Sequence, residues 1–144
     1  MPSTTTPRKR VLIADDEPEM RIFLSRLLET GGYEPIVACS VEECLERAIQ
    51  EAPDVILLEA MMNEQKGLRL FSELKNNPEL SGIPVVLMSN LDKQTFWRYR
   101  KLAGAGGARK PEGFFTKPPE AEELCSLLKD LTEPGVGGEP CPSE

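Results

Sequence analysis

Apolar residues fall in two alternating rhythms along this chain. Short runs without internal polar positions, such as Val11-Leu12-Ile13-Ala14, are separated by longer stretches in which apolar residues recur every three or four positions. The first rhythm marks strands buried on both faces, and the second marks amphipathic helices. The alternation repeats five times. After the first run, Pro18 stands near a helix start, where its missing N–H costs nothing. Met20, Phe23, Leu24, Leu27 and Leu28 mark one helical face, and Gly31-Gly32 ends it. Residues 33–38 read as a second strand. Pro35 inside it cannot donate to a ladder, which assigns this strand to a sheet edge. Ser40 with Glu43 predicts a capping box, followed by Val41, Cys44, Leu45, Ala48 and Ile49 at helical spacing.

Residues 54–58, apolar after Asp54 and without alternation, predict a central strand. Gly67 is expected to open the next helix, which carries Leu70, Phe71 and Leu74 and breaks at Asn76-Asn77-Pro78. Residues 84–88 form the fourth predicted strand, and a more weakly patterned helix runs from about Asp92 to Leu102. The stretch 104–113, rich in Gly, is a long loop for a compact α/β domain. Residues 114–116 are the last strand. Pro119 then starts a helix with Leu124, Leu127, Leu128 and Leu131 on one face. The chain is thus expected to divide into a flexible lead (1–9), one α/β domain (10–132) and a disordered acidic Gly/Pro tail (133–144). Alternating β and α units imply a doubly wound parallel sheet with helices on both faces.

Composition narrows the function classes. A length of 144 residues suits one domain with an ordinary core. The net charge of −7 argues against a nucleic-acid or anionic-membrane surface, both of which need clustered Lys and Arg. The run Arg8-Lys9-Arg10 reads as a solvated lead into the first strand. No apolar stretch is long enough to span a bilayer. The first residues carry no apolar signal core, so a cytoplasmic location is expected. The chain has no histidine, which removes Ser-His-Asp, Cys-His and phosphohistidine chemistry. Cys39, Cys44, Cys125 and Cys141 form no C-x-x-C pair, which disfavours a zinc site. Cys44 and Cys125 are expected to be core thiols.

The candidate chemistry gathers at the ends of the predicted strands. Asp15 and Asp16 end the first, Glu59 the third, Ser89 the fourth and Lys117 the fifth. Ligands of doubly wound sheets bind beyond the carboxyl ends of the strands, where strand order reverses. Three acids and a lysine there suit a divalent cation and a phosphoryl group. Read singly, each residue has a plainer role. Asp15-Asp16 would cap a helix, Lys117 would be a structural counter-charge, and Ser89 would be an ordinary strand end.

Taken in order, these pieces resemble the receiver domain of bacterial two-component response regulators. The resemblance runs from about Arg10 to Leu131. It is carried by Val11-Leu12-Ile13-Ala14-Asp15-Asp16-Glu17, by Gly32-Tyr33-Glu34, and by Pro53-Asp54-Val55-Ile56-Leu57-Leu58-Glu59 with Met61 or Met62 and Gly67. Ile83-Pro84-Val85-Val86-Leu87-Met88-Ser89 and Phe114-Phe115-Thr116-Lys117-Pro118 complete it. The resemblance implies a flavodoxin-like (βα)5 fold with strand order 2-1-3-4-5. It implies that Asp15, Asp16 and Glu59 hold Mg²⁺, with the Met61 carbonyl completing the shell, and that Glu59 also occupies the phosphoacceptor position. Ser89 and Lys117 would contact the phosphoryl oxygens, a cis peptide would precede Pro118, and the Phe114 rotamer would report the active state. The implied partner is a sensor histidine kinase, or a downstream protein docking on the fourth helix, last strand and last helix. Phe96, Trp97 and Tyr99 lie on that helix, either as interface aromatics or packed on the sheet. The expected state is a monomer or weak dimer.

The departures from the family pattern bear on function. Receivers carry Asp where Glu59 stands, and the extra methylene moves the carboxylate out by about 1.5 Å. That can set an anion where a phosphoryl oxygen would lie. It can equally spoil in-line attack, since a misplacement of about 1 Å can cost about 100-fold. Asn63 replaces a usual proline, and Asn90 replaces a usual small residue. The expected function is therefore a stand-alone, non-enzymatic pseudo-receiver that acts by docking, with a metal site that is real or vestigial. A phosphorylatable regulator is the alternative. A small Mg²⁺-dependent phosphatase or phosphotransferase with Asp15 as nucleophile, and an ion-free structural adaptor, are the other classes. The phosphatase class usually spaces its two acids by one residue, whereas Asp15 and Asp16 are adjacent.

Overall fold

A computed structural model describes residues 8–103 and 110–133, with the side chains of 64, 65 and 99–103 outside that description. The expected acidic tail from 134 on, most of the lead, most of the loop 104–113, Cys141 and the Tyr99 side chain lie outside the described residues. Among the described residues ten elements alternate: β1 (Arg10–Ala14), α1 (Pro18–Thr30), β2 (Glu34–Ala38), α2 (Val41–Glu51), β3 (Val55–Glu59), α3 (Met62–Asn76), β4 (Val85–Ser89), α4 (Lys93–Ala103), β5 (Gly113–Thr116) and α5 (Ala121–Thr132). All five strands are parallel, in the order β2-β1-β3-β4-β5. This is the doubly wound sheet expected from the alternation. The Pro35 strand lies at its edge.

The central strands are apolar throughout because both their faces are covered. Leu12, Ala14, Ile56, Leu58, Val85 and Leu87 pack with α2, α3 and α4 residues such as Cys44, Phe71 and Phe96. Val11, Ile13, Val55, Leu57, Val86 and Met88 point the other way, onto Leu24 and Leu28 of α1 and Leu124 and Leu128 of α5. Helix ends follow local chemistry. The Ser40 hydroxyl accepts from the Glu43 N–H at the start of α2, the forward half of the expected capping box. The return half is displaced by one residue, since Glu43 accepts from the N–H of Cys39.

Several expectations are corrected. α3 begins at Met62, five residues before Gly67. Gly67 lies inside the helix, where a Cβ would fall 2.6 Å from the Ala60 carbonyl oxygen and closer still to that of Glu59. The glycine is there for close approach to the end of β3, and a helix start was the wrong reading of it. Arg10 is not part of a solvated lead. Its guanidinium pairs with Glu51 and bonds the Glu51 carbonyl at 2.7 Å, while its N–H bonds Asp54 at 2.8 Å. Phe23 and Ile49 lie on the rims of their helical faces and are 40% and 56% exposed. Cys44 is fully buried, as expected, and its thiol is pushed up to about 12 by burial and the nearby Glu43. Cys125 is only half-buried.

Candidate functional site at the strand carboxyl ends

Strand order reverses between β1 and β3, and the two strands run in register up to the pair Ala14–Leu58. One residue further on each come Asp15 and Glu59. On the other side of β3, Glu59 pairs with Met88, and Ser89 pairs with Thr116. The Lys117 N–H then bonds the Ser89 carbonyl at 2.8 Å. Register alone therefore brings Asp15, Glu59, Ser89 and Lys117 into one crevice. The Lys117–Pro118 peptide is cis, as the resemblance implied.

Lys117 is the centre of the site. Its ammonium is 2.9 Å from Asp15 Oδ2, 3.0 Å from Glu17 Oε1 and 2.5 Å from Glu59 Oε1. Asp15 is fully buried, Glu59 is 4% exposed and Lys117 is 8% exposed. The contact to Glu59 is an ion pair outside hydrogen-bonding angles. Glu59 Oε1 therefore has an electrostatic partner but no hydrogen-bond donor among the described residues. The other oxygen, Oε2, accepts from the Met61 N–H at 3.0 Å. Burial pushes the Glu59 carboxyl above its ordinary value. Lys117 and the Met61 N–H pull it down without cancelling that rise, and Asp15 adds to it. Burial also works against the Lys117 ammonium, but Glu59, Asp15 and Glu17 more than offset it and hold Lys117 above the ordinary lysine value. The proton stays on Lys117.

The remaining expected residues sit around this cluster. Asp16 is exposed, and its Oδ2 accepts from the Asn63 N–H at 3.3 Å. Asn63 adopts a positive φ of 51°, which asparagine tolerates better than most residues, and its side chain accepts from the Val41 N–H at 3.0 Å. It thereby ties the Asp16 turn to the start of α2. Ser89 is buried and its hydroxyl accepts from the Leu91 N–H at 3.0 Å. Asn90 is exposed. Phe114 is half-buried and stacks at 4.9 Å on Phe96, with Trp97 6.4 Å away. Phe96 is fully buried, so it serves the core and cannot be an exposed interface aromatic.

Two contributors were not assigned a role from sequence. Glu17, the exposed third acid of the Asp15-Asp16-Glu17 run, supplies the third acceptor for Lys117. Arg21 donates to the Asp15 carbonyl at 2.7 Å, one turn into α1. Glu17 was recoverable, because it adjoins the acidic pair at the strand end. Arg21 carried no signal, because an arginine on a helix face is ordinary.

The arrangement can be tested as a cation site. Both Asp15 oxygens are engaged, Oδ1 by the Glu17 N–H at 2.9 Å and Oδ2 by Lys117. Asp16 turns to Asn63, and Glu59 faces Lys117. Among the described residues no group of three acids is placed to hold a metal ion, because the carboxylate oxygens that do converge do so on the Lys117 ammonium. Magnesium demands near-octahedral oxygen ligands. The acids carry enough charge for such an ion but, as placed, do not fit it: the lysine ammonium stands among them.

Comparison with known proteins agrees with this fold. Residues 11–129 match the response regulator receiver domain family, and the chain belongs to that family. Receiver domains are signalling modules of two-component systems and typically bind Mg²⁺ at their phosphorylation site. The chain is 31% identical to the protein PilH of Pseudomonas aeruginosa over 119 residues, covering 83% of this chain and 93% of PilH. It is 29% identical to the alkaline phosphatase synthesis transcriptional regulatory protein PhoP of Bacillus subtilis, covering 85% of this chain but only 48% of that protein. The chemotaxis response regulator CheY4 of Vibrio cholerae shares the fold, with a TM-score of 0.72 at 22% identity, covering 87% of this chain and 99% of CheY4. No helix among the described residues is long and apolar enough to cross a membrane.

Proposed function

We propose that this chain is a pseudo-receiver, in which the standing charge of Glu59 takes the place of a phosphoryl group. The observation that carries this reading is the buried ion pair between Glu59 Oε1 and Lys117 Nζ at 2.5 Å. In the family resemblance, Lys117 is the residue that meets the phosphoryl oxygens. Here the longer acid reaches the lysine unaided. Glu59 then acts as a fixed anion, Lys117 as its counter-charge, and Ser89 and Phe114 as the positions through which the site addresses α4, β5 and α5. Mg²⁺ is dispensable in this state, because the ammonium already offsets part of the acidic cluster. Output is docking to another protein, either a sensor histidine kinase or a downstream signalling protein, on the α4–β5–α5 side.

Catalysis by Asp15 is disfavoured on the same geometry. A nucleophilic carboxylate needs a free oxygen facing substrate, and both of those of Asp15 are engaged in a fully buried position.

The test is intact-mass spectrometry after incubation with acetyl phosphate and Mg²⁺, with Glu59→Asp alongside. The pseudo-receiver reading expects no adduct on the natural chain and a phosphoryl adduct on Glu59→Asp. An adduct on the natural chain that is lost in Glu59→Ala would make it a phosphorylatable regulator instead.

A further inference from the structure

The outer face of α1 carries a patch with no role in the site. Ile22 and Phe23 are 54% and 40% exposed, and they are two of the four large apolar residues left exposed among the described residues. With Glu19, Arg26, Leu27 and Thr30 they line a groove of about 430 Å³. At 100° per residue, Glu19, Arg26 and Thr30 share one line along the helix, and Ile22 and Phe23 flank it on either side. This line faces away from Leu24 and Leu28, which the sheet covers. Neither Glu19 nor Arg26 contributes to the ion pairs of the lysine site.

The order of these residues has a two-fold character. Positions 19 and 26 are equidistant from the point between 22 and 23. A two-fold axis through that point, perpendicular to the helix, sets α1 of one copy antiparallel to α1 of another. Each Glu19 then stands level with the Arg26 of the other copy, about 5 Å along the helix from the axis on either side. The Ile22 and Phe23 side chains of both copies cluster between the two charge pairs. An isologous contact requires such self-complementarity, with each residue's partner facing it in return. A parallel arrangement would instead set Glu19 against Glu19 and Arg26 against Arg26.

We propose that this face of α1 binds a second copy of the chain, giving an antiparallel α1–α1 dimer with Ile22 and Phe23 at its centre and two Glu19–Arg26 pairs around them. The occupant is a second copy because the charges on the face complement themselves about its own apolar midpoint. One 13-residue helix spans only about 20 Å, so the contact is smaller than a standard interface and the dimer is weak.

The test is sedimentation equilibrium of the full chain from about 10 µM to about 1 mM, the range where a contact of this size populates a dimer. The natural chain is expected to rise from monomer toward dimer mass. Glu19→Arg and Arg26→Glu are each expected to weaken self-association at least tenfold, because each single variant sets like charges together twice. An equimolar mixture of the two is expected to recover dimerisation, since both pairs are then opposite in sign. Circular dichroism confirms that each variant is folded, and Ile22→Asp gives an independent variant at the apolar centre, expected to be monomeric. A natural chain that stays monomeric throughout would overturn the proposal and leave the face to a different protein. So would single variants that associate as the natural chain does, or a mixture that fails to recover.

Discussion

Glu59, at the carboxyl end of β3, and Lys117, just beyond β5, meet at 2.5 Å, each almost wholly removed from water. Such a pair is a demanding arrangement. Its desolvation penalty is several kcal/mol per ion, and only close geometry with further hydrogen bonds repays it. Lys117 has those partners in Asp15 and Glu17, and Glu59 has the Met61 N–H.

Removing the ammonium should therefore be costly. Lys117→Met strands the Asp15 and Glu59 carboxylates together, and breaking a buried pair in this way costs about 3–5 kcal/mol. Urea unfolding should show that loss, and Glu59→Gln in the Lys117→Met background should recover part of it. A Lys117→Met protein as stable as the natural chain would show that the cluster is solvated.

The pH dependence of stability has a defined sign. Burial raises the Glu59 carboxyl in the folded state, so the folded chain binds that proton more tightly than the unfolded chain. The slope of stability with pH is then negative for this group. Its contribution is fully present below the unfolded glutamate value and is lost as pH rises through the raised folded value. Subtracting the Glu59→Gln stability profile from that of the natural chain should give a difference that falls with rising pH above the ordinary glutamate value. A difference that rises would mean that pairing with Lys117 outweighs burial.

Gly67 fixes how closely α3 approaches the end of β3. Gly67→Ala places a Cβ against the backbone of Glu59 and Ala60, atoms that cannot swing aside. Overpacking of this kind costs about 1–3 kcal/mol, so the denaturation midpoint should fall. The Met61 N–H that holds Glu59 lies in the same turn, so the shift should also disturb the ion pair.

Magnesium should separate the two acids at position 59. A ligand that binds only the folded state stabilises it by mass action. At millimolar Mg²⁺ the natural chain should melt at an unchanged temperature. Glu59→Asp, whose shorter side chain withdraws from Lys117, should melt higher with Mg²⁺ than without. Equal stabilisation of both would show that the ammonium does not compete with the ion.

Much of this fold is legible in the sequence. Unbroken apolar runs fixed the central strands, and Pro35 fixed the edge strand. Strand ends drew Asp15, Glu59, Ser89 and Lys117 together because parallel register leaves them little choice. What escaped were contacts decided by side-chain reach and backbone proximity. Gly67 looked like punctuation, yet it is a helix-interior residue pressed against a carbonyl. Glu17 and Arg21 act through a lysine and a carbonyl whose positions no pattern in the sequence encodes. Phe23 fits the period of its helix but sits at the rim of the buried face, where a period cannot separate inside from outside.

Trp97 is the chain's single tryptophan and lies 6.4 Å from Phe114, so its emission reports on the α4–β5 face. The most direct measurement compares this emission in the natural chain, in Glu59→Gln, and in Glu59→Asp before and after treatment with acetyl phosphate and Mg²⁺. If the standing charge of Glu59 replaces a phosphoryl group, the natural chain should match phosphorylated Glu59→Asp, be indifferent to acetyl phosphate, and differ from both Glu59→Gln and untreated Glu59→Asp. A natural chain that matches untreated Glu59→Asp, or whose emission moves with acetyl phosphate, would contradict it.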